Sequence, residues 1–134
     1  MKKNTEYRVI YGDTDQMGVV YNSNYLRMFE RGRNEFFRQL DFSYRKLEDE
    51  KGVLLPVKES LCKYINPAEY DDLLKIVTEV TELSRVKMKF EYEIFREDVL
   101  ISKGYTLHVF MKDNKITRID KGLYNLLKNL LEIK

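Results

Sequence analysis

The stretch VKMKFEYEIF, Val86 to Phe95, alternates apolar and charged residues along its length. Val86, Met88, Phe90, Tyr92 and Ile94 fall on one face, and Lys87, Lys89, Glu91 and Glu93 on the other. A period of two is the mark of a strand, because successive side chains point to opposite sides of a sheet. One apolar and one charged face describe an antiparallel strand that is buried on one side only. Something else in the chain must cover the apolar side.

Working outward, LISKGYTLHVFMK follows after a short turn at REDV and reads as the next strand, ended by DNK. Upstream, DDLLKIVTEVTEL is strand-rich in its second half. Val53 to Ile65 also reads as extended, with Pro56 marking an edge or a bend. At the N-terminus TEYRVIY alternates, placing Tyr7, Val9 and Tyr11 on one face of a strand that Gly12 and Asp13 end. The cover for the sheet lies between. From Asn24 to Leu40 the apolar residues Tyr25, Phe29, Phe36 and Leu40 recur at multiples of about four, widened by Leu26, Met28 and Phe37. That spacing predicts a helix about 25 Å long, with Asn22 or Ser23 as its N-cap. Gly32 interrupts the stripe at a cost of about 1 kcal/mol against alanine, which points to a close approach of another backbone there. RKLEDEKG, Arg45 to Gly52, reads as a charged loop, and IDKGLYNLLKNLLEIK as a short amphipathic terminal helix used for packing or assembly.

The expected fold is therefore α+β: a five-stranded antiparallel sheet, one long helix near its start and a short C-terminal helix, all in one domain spanning 1–134. One long helix covers little more than half of such a sheet, so association through the sheet edge or the helix is expected. The formal charge of +2 gives no basic face for nucleic acid. No apolar run reaches the roughly 18 residues of a membrane span, and the N-terminus lacks the apolar core of a signal peptide. A single cysteine, Cys62, precludes an internal disulfide and fits a reducing, cytoplasmic setting. It reads as a bystander thiol, and His108, the only histidine, as a strand residue without a catalytic role.

The chemistry concentrates in YGDTDQMGVVYNSNY, Tyr11 to Tyr25. Read as a calcium loop from Asp13, its fifth position is Met17, which offers no hard oxygen, and its twelfth is Asn24, which offers no bidentate carboxylate. Read as the strand-following acid pair of a phosphatase, it lacks the large parallel sheet that such an enzyme needs. The third reading is a lone carboxylate, Asp15, facing the start of a helix. The first helical turn presents N–H groups without internal partners, which stabilise the oxyanion formed when a carbonyl is attacked. No metal is called for.

The run from Tyr11 to Glu35 resembles the signature of hotdog-fold acyl-CoA thioesterases. It is most similar to the 4-hydroxybenzoyl-CoA thioesterase group and the Tol–Pal-associated acyl-CoA thioesterases, and the likeness extends to NPAEYDDLLKI, Asn66 to Ile76. The resemblance implies a sheet wrapped around a long central helix and hydrolysis of acyl-CoA to free acid and coenzyme A without a cofactor. It implies active sites formed between subunits, hence a homodimer or homotetramer. It assigns Asp15 as the catalytic carboxylate and Gly18, Val19, Val20, Tyr21 and Asn22 to substrate binding. Gly18 permits the turn, Tyr21 is a pocket aromatic, and Asn22 supplies a backbone N–H to the thioester oxygen. Asp13 reads as scaffolding. Asn22 departs from the pattern, since the Tol–Pal-associated enzymes usually carry histidine there. That departure keeps open a rival reading, a non-catalytic acyl-thioester or lipid-binding hotdog protein. For the coenzyme A phosphates, Lys58, Lys63, Arg85, Lys87 and Lys89 are candidates.

Overall fold

The structure is a computed structural model that describes residues 1–42 and 44–132. Its elements are β1 (Lys2–Arg8), α1 (Ser23–Arg38), α2 (Tyr44–Lys51), β2 (Val57–Tyr64), β3 (Leu73–Leu83), β4 (Lys87–Arg96), β5 (Val99–Val109), the short pair β6 (Met111–Lys112) and β7 (Lys115–Ile116), and α3 (Lys121–Leu130). Five strands form one antiparallel sheet in the order β1-β3-β4-β5-β2. β1 and β2 are its edges.

Alternation in β4 works as the sequence implies. Met88, Phe90, Tyr92 and Ile94 are buried, while their charged neighbours face the other way. They join Leu74, Ile76, Thr78 and Val80 of β3 and Ile101, Thr106 and His108 of β5 on one face. Helix α1 lies across β1, β3 and β4 on that face. It presents Tyr25, Met28, Phe29, Phe36 and Phe37, spaced to share one side of a helix. The Phe29 ring stacks on Tyr92 at 4.3 Å, and Phe37 meets Phe90 edge-on at 5.8 Å. The sheet thus wraps a central helix, which is the hotdog arrangement. At Gly32 the close neighbours are side chains and not the backbone that the sequence suggests: a Cβ there would stand 2.6 Å from Thr78 Oγ1 and 2.8 Å from Ile76 Cγ2, closer than atoms pack.

The structure corrects the sequence reading in three places. RKLEDEKG is not a loop: all of it but Gly52 belongs to helix α2. Buried Leu47 anchors it and Arg45 pairs with Asp49 one turn on at 3.5 Å; one apolar residue among charges shows no periodic stripe. Tyr11 leaves the face of Tyr7 and Val9, because the strand has already turned into a 3₁₀ turn over Tyr11–Asp13, and it stands 72% exposed. Leu26 and Val86 lie outside the core, each more than a third exposed.

His108 is buried on the helix-facing side. Its Nδ1 lies 2.9 Å from Leu55 O, and a carbonyl only accepts, so Nδ1 carries the proton and donates. Nε2 then accepts from the Thr106 hydroxyl at 2.8 Å, and the Tyr92 hydroxyl in turn donates to Thr106 Oγ1 at 2.6 Å. Burial pushes the imidazole down to about 4. It ties the segment before β2 to the core.

Candidate active site

The turn between β1 and α1 is held from both ends. Asp13 Oδ2 accepts from the Tyr7 hydroxyl at 2.6 Å and from the Ile10 N–H at 3.0 Å. Its carbonyl accepts from the Tyr21 N–H at 2.8 Å and from Asn24 Nδ2 at 2.9 Å. Asp13 thereby fastens the strand end to the helix start. Burial and the Asp13 carboxylate together push the Tyr7 phenol up to about 12, so Tyr7 stays a donor at every physiological pH.

Asp15 sits at the tip. Its N–H bonds to Val19 O at 2.9 Å, its carbonyl accepts from the Gly18 N–H at 3.0 Å, and its Oδ1 accepts from the Met17 N–H at 2.8 Å. One carboxylate oxygen thus orients the side chain, and among the described residues the other has no hydrogen-bond partner. Gly18 closes the turn at φ +81°, a left-handed conformation that side chains disfavour. The space beside it is open, so the backbone angle alone calls for glycine. Val20 then bonds across to Ala68 O at 2.8 Å, stitching the turn to the Asn66–Pro67–Ala68 segment after β2.

Helix α1 opens at Asn22. The Asn24 and Tyr25 N–H groups are taken by Tyr21 O at 3.0 Å and Asn22 O at 3.3 Å. Among the described residues, the Asn22 and Ser23 N–H groups have no backbone acceptor, and Asn22 makes no side-chain capping bond. These are the donors that a 16-residue helix presents at its positive end.

Asp15, Val19, Val20, Tyr21 and Asn22 line one cleft of about 340 Å³. Gly18 does not line it and acts only through the turn. The opposite wall is Tyr25, Tyr64, Ile65, Asn66 and Pro67, none of which the sequence reading assigned to the site. Tyr25 reads as core from its helical spacing, and it is 4% exposed. Burial raises its phenol, with a hydrogen bond from the Ala68 main chain working the other way. Its ring meets Tyr64 at 5.6 Å. The available signal is the Asn66-Pro67-Ala68 stretch, where the family resemblance carries no assigned role. Asn66 is positioned by its Nδ2, which donates to Leu100 O at 2.8 Å.

None of the five basic residues proposed for phosphates lines this cleft. Arg85 Nε donates to Ile119 O at 2.8 Å, Lys87 lies 3.9 Å from Glu82, and Lys89 stands over the Tyr105 ring. Cys62 is half-buried, 3.2 Å from Ser102 Oγ, and burial raises its thiol, so it holds its proton. Among the described residues no group of acids, histidines or cysteines is disposed to hold a metal ion, and no helix is long and apolar enough to cross a membrane.

A five-stranded sheet wrapped around a long helix is the hotdog fold, and here Asp15 and Asn22 at that helix's start line one cleft. Residues 9–127 match the thioesterase-like superfamily, and the chain belongs to that family. It is similar to the acyl-CoA thioesterase YbgC of Haemophilus influenzae, 41% identical over 97 residues covering 72% of this chain and 71% of that protein. It is also similar to the YbgC thioesterase of Helicobacter pylori, 32% identical over 120 residues covering 88% and 86%. A protein of Thermus thermophilus known from its crystal structure superposes with a TM-score of 0.91 over 100% of both chains at 33% identity.

Proposed function

We propose that this protein hydrolyses acyl-CoA thioesters to a carboxylic acid and coenzyme A, with Asp15 and the α1 N-terminus as its reacting and stabilising groups. The observation that carries this reading is the shared cleft, which both Asp15 and Asn22 at the open helix end line. A thioester carbonyl laid between them meets donors where negative charge develops, an interaction of about 3 kcal/mol per donor. Val19, Val20 and Tyr21 wall the acyl group, and Gly18 aims Asp15.

Two routes fit a single carboxylate. As general base, Asp15 takes a proton from water, whose oxygen bonds to the carbonyl carbon. As nucleophile, it forms an anhydride that water then cleaves. In either route the carbon–sulfur bond breaks with its electron pair on sulfur. A thiol of pKa about 8.5 leaves as thiolate without a strong acid. The relatives' activity as acyl-CoA thioesterases supports the substrate class.

The working unit in this reading is a cytoplasmic homodimer or a tetramer built from it. β2 pairs with β5 on one side only, and its residues are largely exposed. Two β2 edges paired antiparallel about Leu61 set Glu59 of each copy against Lys63 of the other, opposite charges across a ladder. They would also carry a second copy to the Tyr64–Pro67 wall of the cleft.

The test is thiol release from short, medium, long and aromatic acyl-CoAs, with Asp15→Asn as control. Turnover by the wild type that the variant loses supports the reading. Full activity in Asp15→Asn overturns the mechanism, and binding without turnover across the panel favours an acyl-thioester or lipid-binding role.

A further inference from the structure

Asn22 occupies the N-cap of α1. Asparagine suits that place because its side-chain oxygen can accept from the N–H two or three residues on, a bond that goes with an extended backbone at the cap. Here the backbone at Asn22 is already helical, at φ −54° and ψ −39°, and its side chain makes no capping bond. The N–H groups it could have taken are held by main-chain oxygens: Asn24 by Tyr21 O at 3.0 Å and Tyr25 by Asn22 O at 3.3 Å. The residue does none of the capping for which asparagine is suited, and its carboxamide stays free.

That free carboxamide belongs to an exposed residue that lines the cleft with Asp15. Among the described residues no hydrogen bond joins the two side chains; the Asp15 carboxylate accepts from the Met17 N–H instead. A donor and a carboxylate that share a cleft of about 340 Å³ without meeting leave room for reacting atoms between them. The cleft's other asparagine, Asn66, has its Nδ2 committed to Leu100 O at 2.8 Å. No lysine, arginine or histidine is among the described residues that line the cleft. Negative charge that develops there is therefore met by neutral donors of this chain.

We propose, on the thioesterase reading above, that the side-chain Nδ2–H of Asn22 is a second donor to the thioester oxygen, beside the main-chain N–H at the start of α1. When the oxygen of water or of Asp15 bonds to the carbonyl carbon, the carbonyl π pair moves onto its oxygen. Nδ2–H donates to that oxygen and keeps its own proton. The pair then returns, the carbon–sulfur bond breaks, and sulfur leaves with its electrons. A donor placed where charge appears lowers the barrier more than it strengthens binding.

Thiol-release kinetics of the whole protein, comparing wild type, Asn22→Ala and Asn22→Asp, test the proposal. If Asn22 only starts the helix, aspartate serves as well as asparagine, since a carboxylate suits the positive helix end. The order of kcat is then Asp equal to Asn, with Ala below. If the side chain donates, aspartate sets a charge where a donor is needed, and the order is Asn, Ala, Asp. The expected result is a kcat at least about tenfold lower in Asn22→Ala with KM within about twofold of wild type. Asn22→Asp should be slower still, although it melts no lower than Asn22→Ala. Equal kcat in wild type and Asn22→Ala, a change confined to KM, or more turnover in Asn22→Asp than in Asn22→Ala overturns the proposal and leaves the thioesterase reading standing. A wild type that releases no thiol from any acyl-CoA overturns both.

Discussion

Gly32 and Thr78 are packed so that a single added methyl on the helix would lie 2.6 Å from the strand hydroxyl. The threonine is buried, and its Oγ1 has no hydrogen-bond partner among the described residues. Gly32→Ala should therefore destabilise by about 1–2 kcal/mol, overpacking outweighing the helix-propensity gain of about 1 kcal/mol. Thr78→Val, which removes an unsatisfied buried hydroxyl at nearly constant shape, should be neutral or stabilising. Denaturant melts of the two variants check both signs; an unchanged midpoint in Gly32→Ala would contradict the close approach.

The two aspartates of the turn should separate in their effects. Asp15→Asn keeps an oxygen for the Met17 N–H, so its melting temperature should match wild type while kcat falls roughly 100-fold or more. Asp13→Ala strands the Tyr7 hydroxyl and the Ile10 N–H and should cost about 1–3 kcal/mol of stability, with activity lost in step. Parallel melts and thiol-release rates decide whether chemistry and scaffolding are divided this way.

At Gly18 the constraint is the backbone angle and not space. Gly18→Asn, a residue that tolerates the left-handed region, should retain more turnover than Gly18→Ala, although it is larger. Alanine is expected to cost about 1–2 kcal/mol and to disturb the aim of Asp15. A ranking set by side-chain size would count against this account.

His108 gives the fold a dependence on acid. Above pH 6.5 the imidazole is neutral in folded and unfolded chains and contributes no slope. As pH falls from about 6.5 to about 4, the unfolded chain takes up a proton that the buried ring refuses, so stability declines. Below about 4 the folded protein binds it too and the decline from this group ends. Around His108 stand Phe90 on β4, Tyr92 through Thr106, and the Arg33 charge on α1, which further disfavours the imidazolium. Melting temperatures over pH 4 to 7 should show a shallower slope in His108→Gln than in wild type.

Much of this molecule is legible in its residues, for reasons that differ by element. β4 and α1 announce themselves because each buries one full face, so Met88 to Ile94 and Tyr25 to Phe37 carry clean periods of two and of about 3.6. Helix α2 stays hidden because a single side chain, Leu47, anchors it. On the acidic side of the cleft Asp15 and Asn22 are visible, since they stand only seven positions apart along the chain. The far wall escapes because Tyr64 to Pro67 arrive through pairing of strands distant in sequence. Tyr25 is a residue of core character that also borders the cleft, a double use that periodicity does not express.

The bond from Val20 N to Ala68 O joins segments nearly fifty positions apart, and the two walls of the cleft hang on it. A chain that has formed α1 but not yet closed that long loop has an acid and a helix end with nothing facing them. Closing it is entropically slow compared with winding the helix. Recovery of function after dilution from denaturant should thus follow completion of the sheet and lag behind the return of helical signal.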